Sequence, residues 1–292
     1  MSEVLSKGTL FPSECVSEVF SAVRGKSSLA ALSGKIPVSF TGNDLFVFNM
    51  DKEVALVGEN EEMGAGGVTI PPVKVIPVKV EYGARVTDEF LTASEEKKIE
   101  ILKAFNEGFA QKAARGLDIM AMHGVNPRTG AASELIKYYF DKNTKTVPYA
   151  AATCDDNVDA AVELIGDYDV TGIAMAKTFA SAMGKLEGAN GGKLYPELKW
   201  GGQPKNVNGV PASVNSTVSF GTSKDMAIVG DFENCFVWGY AKEVKMEVIP
   251  YGDPDNTGKD LRGHGQVYIR ATAYIGWAIL DDNAFARVIQ NG

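Results

Sequence analysis

The sequence predicts an α+β fold, in which one long helix is flanked by long antiparallel strands and joined to a mixed α/β region. Three patterns carry this expectation. Apolar residues recur at helical spacing from Ile99 to Met120, residues alternate strictly from Val267 to Ile279, and short elements fill 130–240 without a regular βαβ rhythm. Of the 292 residues, 45% are hydrophobic and 23% charged, enough apolar mass for a packed core.

Taken in order, residues 1–11 read as irregular. Pro12 suits a first helical turn, Val16, Val19, Phe20 and Val23 follow at helical spacing, and Gly25 ends that short amphipathic helix. Residues 36–50 read as strand, with Ile36, Val38 and Phe40 alternating before a TGND turn. VALV at 54–57 is a further short strand. The stretch GENEEMGAGG (58–67) then holds three carboxylates and four glycines and cannot pack a core. Residues 69–80 are extended: Pro71, Pro72 and Pro77 exclude helix and four valines supply β-branched mass. Residues 45–75 are therefore expected to form a long β-hairpin with an acidic tip, an excursion that a compact domain keeps only for a purpose.

The strongest helix follows. Thr92 and Glu95 fit a capping box, and Ile99, Leu102, Phe105, Phe109, Ala113, Leu117 and Met120 form one stripe that ends at Gly124. About 28 residues at ~1.5 Å each give a strut of roughly 40 Å. Beyond it, Asp155 is expected to cap a helix carrying Val158, Ala161, Val162 and Ile165. Strands are expected at 173–175, 227–229 and 236–238, and a helix at 177–186. Val244, Met246 and Val248 alternate and are expected to pair with 267–279 across the connection PYGDPDNTGKDLRGHG.

The net charge of −8 excludes a broad basic footprint for nucleic acid. Cys15, Cys154 and Cys235 are few, odd in number and form no CxxC pair, which predicts free thiols. The N-terminus lacks a basic-then-apolar signal pattern, and no run of 18 apolar residues predicts a membrane span. Asn215-Ser216-Thr217 matches a glycosylation sequon by chance.

Signals for chemistry fail one by one. Gly25-Lys26-Ser27 has Phe20 where a phosphate loop needs glycine, and reads as a helix end and turn. Asp253 and Asp255 sit in a DxDxT pattern like that of aspartyl-phosphate enzymes, but between antiparallel strands. The same stretch begins like an EF-hand, with Gly258 in sixth place, yet His264 stands where a bidentate Glu is needed. His123 and His264, the only histidines, lack ligand partners at metal-site spacing. No catalytic residue, cofactor site or metal site is expected.

The order of parts resembles something specific. LFPSECVSEVFSAVRGKSSLAALSGKIPVSFTGNDLFVF resembles the N-terminal arm and first strands of tailed-bacteriophage major capsid proteins of the Hong Kong 97-type fold. EVALVGENEEMGAGG is similar to their acidic extended loop, TIPPVKVIPVKV to the strand after it, and GLDIMAMHGVNPRTG to the end of their spine helix. RGHGQVYIRATAYIGWAILDDNAFARVI resembles the last peripheral strand and terminal segment. The resemblance implies an N-terminal arm (1–34), a peripheral domain (35–130 and 240–280, with 45–75 inserted as the extended loop) and an axial domain (131–239 and 281–292). It implies self-assembly into pentamers and hexamers of an icosahedral head enclosing double-stranded DNA without sequence-specific binding. Portal and a separate scaffolding protein would be partners, assembly would occur in the bacterial cytoplasm, and no membrane would be involved. The start of the chain close to the arm implies either that scaffold or prior processing.

Glu59, Glu61 and Glu62 are then candidates for inter-subunit contact with Arg24, Arg85 and Arg128 of a neighbour. Some relatives crosslink a loop lysine to an asparagine, but residues 53–73 contain no lysine, so the expected clasp is non-covalent. Two rival readings stay open: an encapsulin-like nanocompartment shell, and a phosphoryl-transfer enzyme using Asp253 and Asp255.

Overall fold

The computed structural model describes residues 26–46, 49–50, 56, 67–69, 72–89, 95–241 and 245–290. The expected arm helix at 12–25, the VALV strand, most of the acidic stretch and Thr92 lie outside these residues.

A short helix α1 (Ser28–Leu32) opens the described chain, and β1 (Gly34–Lys35) follows it. Two antiparallel ladders come next. β2 (Asn43–Phe46) pairs with β5 (Pro72–Val75), and β3 (Asn49–Met50) pairs with β4 (Val68–Thr69), on either side of residues 51–67. Only Ile76 and Pro77 separate β5 from β6 (Val78–Thr87).

Helix α2 (Glu95–His123) has 29 residues, which at ~1.5 Å each is roughly 44 Å. Its stripe is buried from Leu102 onward, through Phe109, Ala113, Leu117 and Met120. Ile99, expected on that stripe, is 62% exposed, because the first apolar contacts of the helix lie at Leu102 against Val267 and Ile269. The helix stops at Gly124, whose φ of +67° is left-handed; a Cβ there would stand 2.7 Å from the Tyr139 ring, so glycine is required twice over.

Two sheets organise the rest. The central strand of the first is β14 (Gln266–Ile279), where the alternation predicted a strand. Along one edge it pairs with β6, and along the other with β13 (Lys245–Ile249) and β12 (Phe236–Tyr240), all antiparallel. Met246 and Val248 face Ala271 and Ile269 in register, as their alternation requires. β1 adds in parallel to β12, where Gly239 leaves no room for a side chain: a Cβ would meet Ile36 O at 2.0 Å.

The second sheet is mixed and runs β7 (Thr146–Pro148), β15 (Phe285–Ile289), β11 (Asp225–Gly230), β8 (Gly172–Met175), β10 (Val210–Val214), β9 (Asn206–Val207). Every residue of β8 and β11 is buried, so neither alternates. Helices α3 (Cys154–Ile165) and α4 (Lys177–Met183) cover it, and α5 (Phe232–Cys235) leads into β12. Asp155 does not cap α3. Thr153 holds the cap position without a side-chain bond, and Asp155 and Asp156 sit in the first turn, where their charge favours the helix dipole.

The sheets meet at four aromatic rings. Phe236 of β12 and Phe285 of β15 both pack on Phe140, at 5.7 and 4.9 Å between centroids, and Phe232 closes the group at 5.1 Å from Phe285. All four are essentially inaccessible, and one apolar cluster runs through both sheets and the C-terminal half of α2.

Candidate assembly surface

Asp118 is a lone acid in the apolar turn LDIM of α2, and it is fully buried. It accepts hydrogen bonds from the hydroxyl of Ser27, from the backbone N–H groups of Ser28 (2.9 Å) and Leu29 (3.2 Å), from Thr217 Oγ1 (2.9 Å) and from Asn215 Nδ2 (3.3 Å). Ser27 Oγ in turn accepts from Ala30 N at 3.0 Å, capping α1. Burial pushes the Asp118 carboxyl upward, while its hydrogen bonds oppose that. The segment Lys26-Ser27 is therefore a helix start, not a phosphate loop. The sequon-like Asn215-Ser216-Thr217 is likewise explained, since both its ends bind Asp118. Together they fix Lys26 and the start of α1 against α2.

The carboxylates of the DxDxT pattern face inward on Arg85. Arg85 Nε donates to Asp255 Oδ2 at 2.9 Å, and Nη2 donates to Asp253 Oδ1 at 2.8 Å, to Thr257 Oγ1 at 2.6 Å and to Lys259 O at 2.9 Å. Asp253 also accepts from Thr257 N and Gly258 N, which closes the turn. The hydrogen bond from Arg85 holds the Asp255 carboxyl down at about 2. A carboxylate clamped by arginine and backbone is a poor nucleophile, so the loop is a pinned turn between β13 and β14. Arg85, a candidate for contact with a neighbour, is engaged within its own chain.

His123 ends α2 buried. Its Nε2–H donates to Thr217 O at 2.8 Å, and its Nδ1 faces Asp141 Oδ2 at 3.1 Å. Arg287 of β15 bonds both Asp141 and Asp225 through Nη1, each at 3.0 Å. Burial would lower the His123 pKa, but Asp141 raises it; burial and then the neighbouring Asp141 push the Asp225 carboxyl up to about 7. His123, Asp141 and Asp225 offer ligand atoms within 4.8 Å of one another. The arginine already neutralises that set, so the group reads as a buried ion network tying α2 to the second sheet. Separations of 18 and 94 residues from His123 to its partners hide it from any spacing motif. His264 lies in the pinned loop with Nδ1 on Asp260 O.

Arg128 is exposed on the loop after α2. It lines a groove of about 510 Å³ between β6, α2 and residues 126–136. Glu59, Glu61, Glu62 and Arg24 lie outside the described residues. Cys154 and Cys235 are free thiols. No helix among the described residues is long and apolar enough to cross a membrane.

A 29-residue strut, a long central strand, a paired hairpin stem and a second mixed sheet form the frame in which these groups sit. The sequence profile of the phage capsid family matches residues 7–288. The chain belongs to the phage capsid family. A solved structure from Mycobacterium phage Ogopogo is similar over 91% of this capsid protein and 92% of its own chain, with 29% identity and a TM-score of 0.78. One from Gordonia phage Cozz shares the fold at 22% identity, covering 91% and 87%, with a TM-score of 0.75. The capsid of an empty GTA particle does so at 18% identity, covering 91% and 90%, with a TM-score of 0.67. No curated protein matches the chain. The Hong Kong 97-type fold expected from the sequence is the one observed, and the role is that of a major capsid protein, a structural subunit of a shell that associates with copies of itself.

Proposed function

We propose that this capsid protein closes an icosahedral head from pentamers and hexamers around double-stranded phage DNA. The observation that carries the reading is the hairpin stem at 43–50 and 68–75. Its described apolar packing, Leu45, Val73 and Val75, lies at its base, and it leads straight into the strand beside the 29-residue helix. Residues 45–75 then lie over an adjacent subunit, with Glu59, Glu61 and Glu62 meeting basic residues there. Arg128 is the better-placed described candidate, because Arg85 is already fully paired. Each exposed pair contributes only about 0–1 kcal/mol, yet a shell repeats it many times.

The proposed units are an arm (1–34), a peripheral domain built on α2 and the β14 sheet, and an axial domain built on the second sheet. We set the boundary between the last two at Phe236, because β12 pairs in the peripheral sheet. Assembly takes place in the host cytoplasm with a separate scaffolding protein and a portal, and the acidic chain keeps packaged DNA from adhering. Expressed protein examined by light scattering and negative-stain microscopy should give capsomers or closed particles. A strict monomer at high concentration across salt and pH would overturn the reading.

A further inference from the structure

A turn beyond α4 (Pro196–Gly201) displays a tryptophan. The chain has three, and Trp238 and Trp277 are buried at 1% and 4% exposure, whereas Trp200 is 98% exposed. Its φ of +55° lies in the left-handed region, which a bulky side chain rarely adopts. The turn is held firmly in that form. Leu198 is buried beneath it, so close to the end of α4 that a Cβ at Gly184 would stand 3.1 Å from the Leu198 carbonyl. Gly202 N donates to Lys199 O at 3.1 Å, and a Cβ at Gly202 would come 2.1 Å from Glu197 O. A strained backbone and a solvated indole both cost free energy, and at this exposure the indole recovers none of it within its own subunit. Lys199 Nζ lies 5.9 Å from the centre of the Trp200 ring, so the tip carries a cation beside an apolar plate.

Charge in this part of the chain is segregated. Residues 185–205 carry four lysines and two glutamates, and Lys193 pairs with Glu187. Residues 146–176 carry six carboxylates and no lysine or arginine. Three of them, Asp156, Asp159 and Glu163, lie exposed at three- and four-residue spacing along α3, with exposed Val162 among them. Like charges at that spacing repel. None of the three makes an ion pair among the described residues, and neither do Lys185, Lys199 and Lys205. One chain thus bears a basic, aromatic tip and an acidic helix with an apolar spot, each without its complement.

A second copy supplies both complements. We propose that the Trp200 turn of one copy docks on α3 of the next, with the indole over Val162 and Lys199 against Asp159 and Glu163. The two surfaces differ, so the contact is head-to-tail, the kind that closes into a ring when its rotation allows. This rests on the self-assembly proposed above and specifies one contact within it.

Two measurements test it. Wild-type particles, confirmed by microscopy, are titrated with acrylamide while tryptophan emission is followed. Because the other two tryptophans are buried, the steepest component reports Trp200. It should be at least fivefold shallower than that of free N-acetyltryptophanamide. A component as steep as the free indole overturns the proposal and leaves the capsid reading intact. Wild-type protein that forms no particles fails that earlier reading instead. The partner surface is read by mixing two full-length variants that both carry Cys15→Ser and Cys235→Ser, one with Glu197→Cys and the other with Asp156→Cys. Both keep every group named in the contact. Each chain has one new thiol, so a disulfide joining the two lies between copies. After mild oxidation, a non-reducing gel should show at least tenfold more dimer from mixed particles than from particles of either variant alone. Mixed particles without dimer, or as much dimer from one variant alone, overturn the assignment to α3.

Discussion

At the scale of single residues, Asp118 shows how one buried carboxylate can organise distant chain. Its five donors come from two segments, 27–29 and 215–217, far from it in sequence. Asp118→Ala should therefore lower the stability of the unassembled subunit by about 3–5 kcal/mol, the range for breaking a buried charged network, measured by denaturant titration. Asp118→Asn turns an amide donor toward other donors and should recover less than half of that loss. Asp225 makes a pH prediction. Its folded pKa of about 7 lies above the ordinary carboxylate value, so the neutral form is favoured in the folded state. The raised His123 pKa acts in the same direction. Stability from both groups is full at low pH and lost as pH rises through their folded values. The melting temperature should fall from about pH 4 to about pH 7, between the ordinary carboxylate value and the folded one, and Asp225→Asn should flatten that slope in a fluorimetric scan; an equally steep slope in the variant would refute the assignment. Neither network was legible in the sequence. Asp118 gave one faint sign, an acid within an apolar turn, while His123, Asp141 and Asp225 are joined only by tertiary folding.

At the scale of elements, most of what carries periodicity was legible. The stripe of α2, the alternation of β14 and its pairing with Met246 and Val248 follow from the spacing of apolar residues. Elements without an amphipathic period were not. β8 and β11 are buried on both faces, β15 is mostly buried without strict alternation, and α1 is too short to show a stripe. Arg85 also escaped, because its partners lie 168 to 174 residues away. Arg85→Met should leave the melting temperature nearly unchanged but speed amide hydrogen exchange at Thr257 and Gly258 by tenfold or more, since Asp253 and Asp255 would then repel each other in the turn. Gly239→Ala acts on a different joint. Its Cβ would strike Ile36 O, a backbone atom, so β1 must leave β12. The expected loss is about 1–3 kcal/mol by thermal melting, with exchange protection at Ile36 N lost.

At the scale of the whole molecule, the two sheets share one apolar cluster through Phe140, Phe232, Phe236 and Phe285, so the subunit should melt as one unit. Phe140→Ala should lower the stability of both sheets together by about 3–5 kcal/mol. Two separate calorimetric transitions in the wild type would contradict this. The sequence showed the order of parts and hence the family, because arm, loop, helix and last strand follow one another with recognisable composition. It did not show how the parts join, since four phenylalanines spread from 140 to 285 carry no local signal.

The Asp118 anchor has a mechanical meaning. Tension applied at Lys26 passes through Asp118 into the buried turns of the longest helix among the described residues. There it is borne by a bundle of hydrogen bonds loaded side by side. A load placed on the short helix α1 is thus shared with the beam of the subunit and not left on one turn.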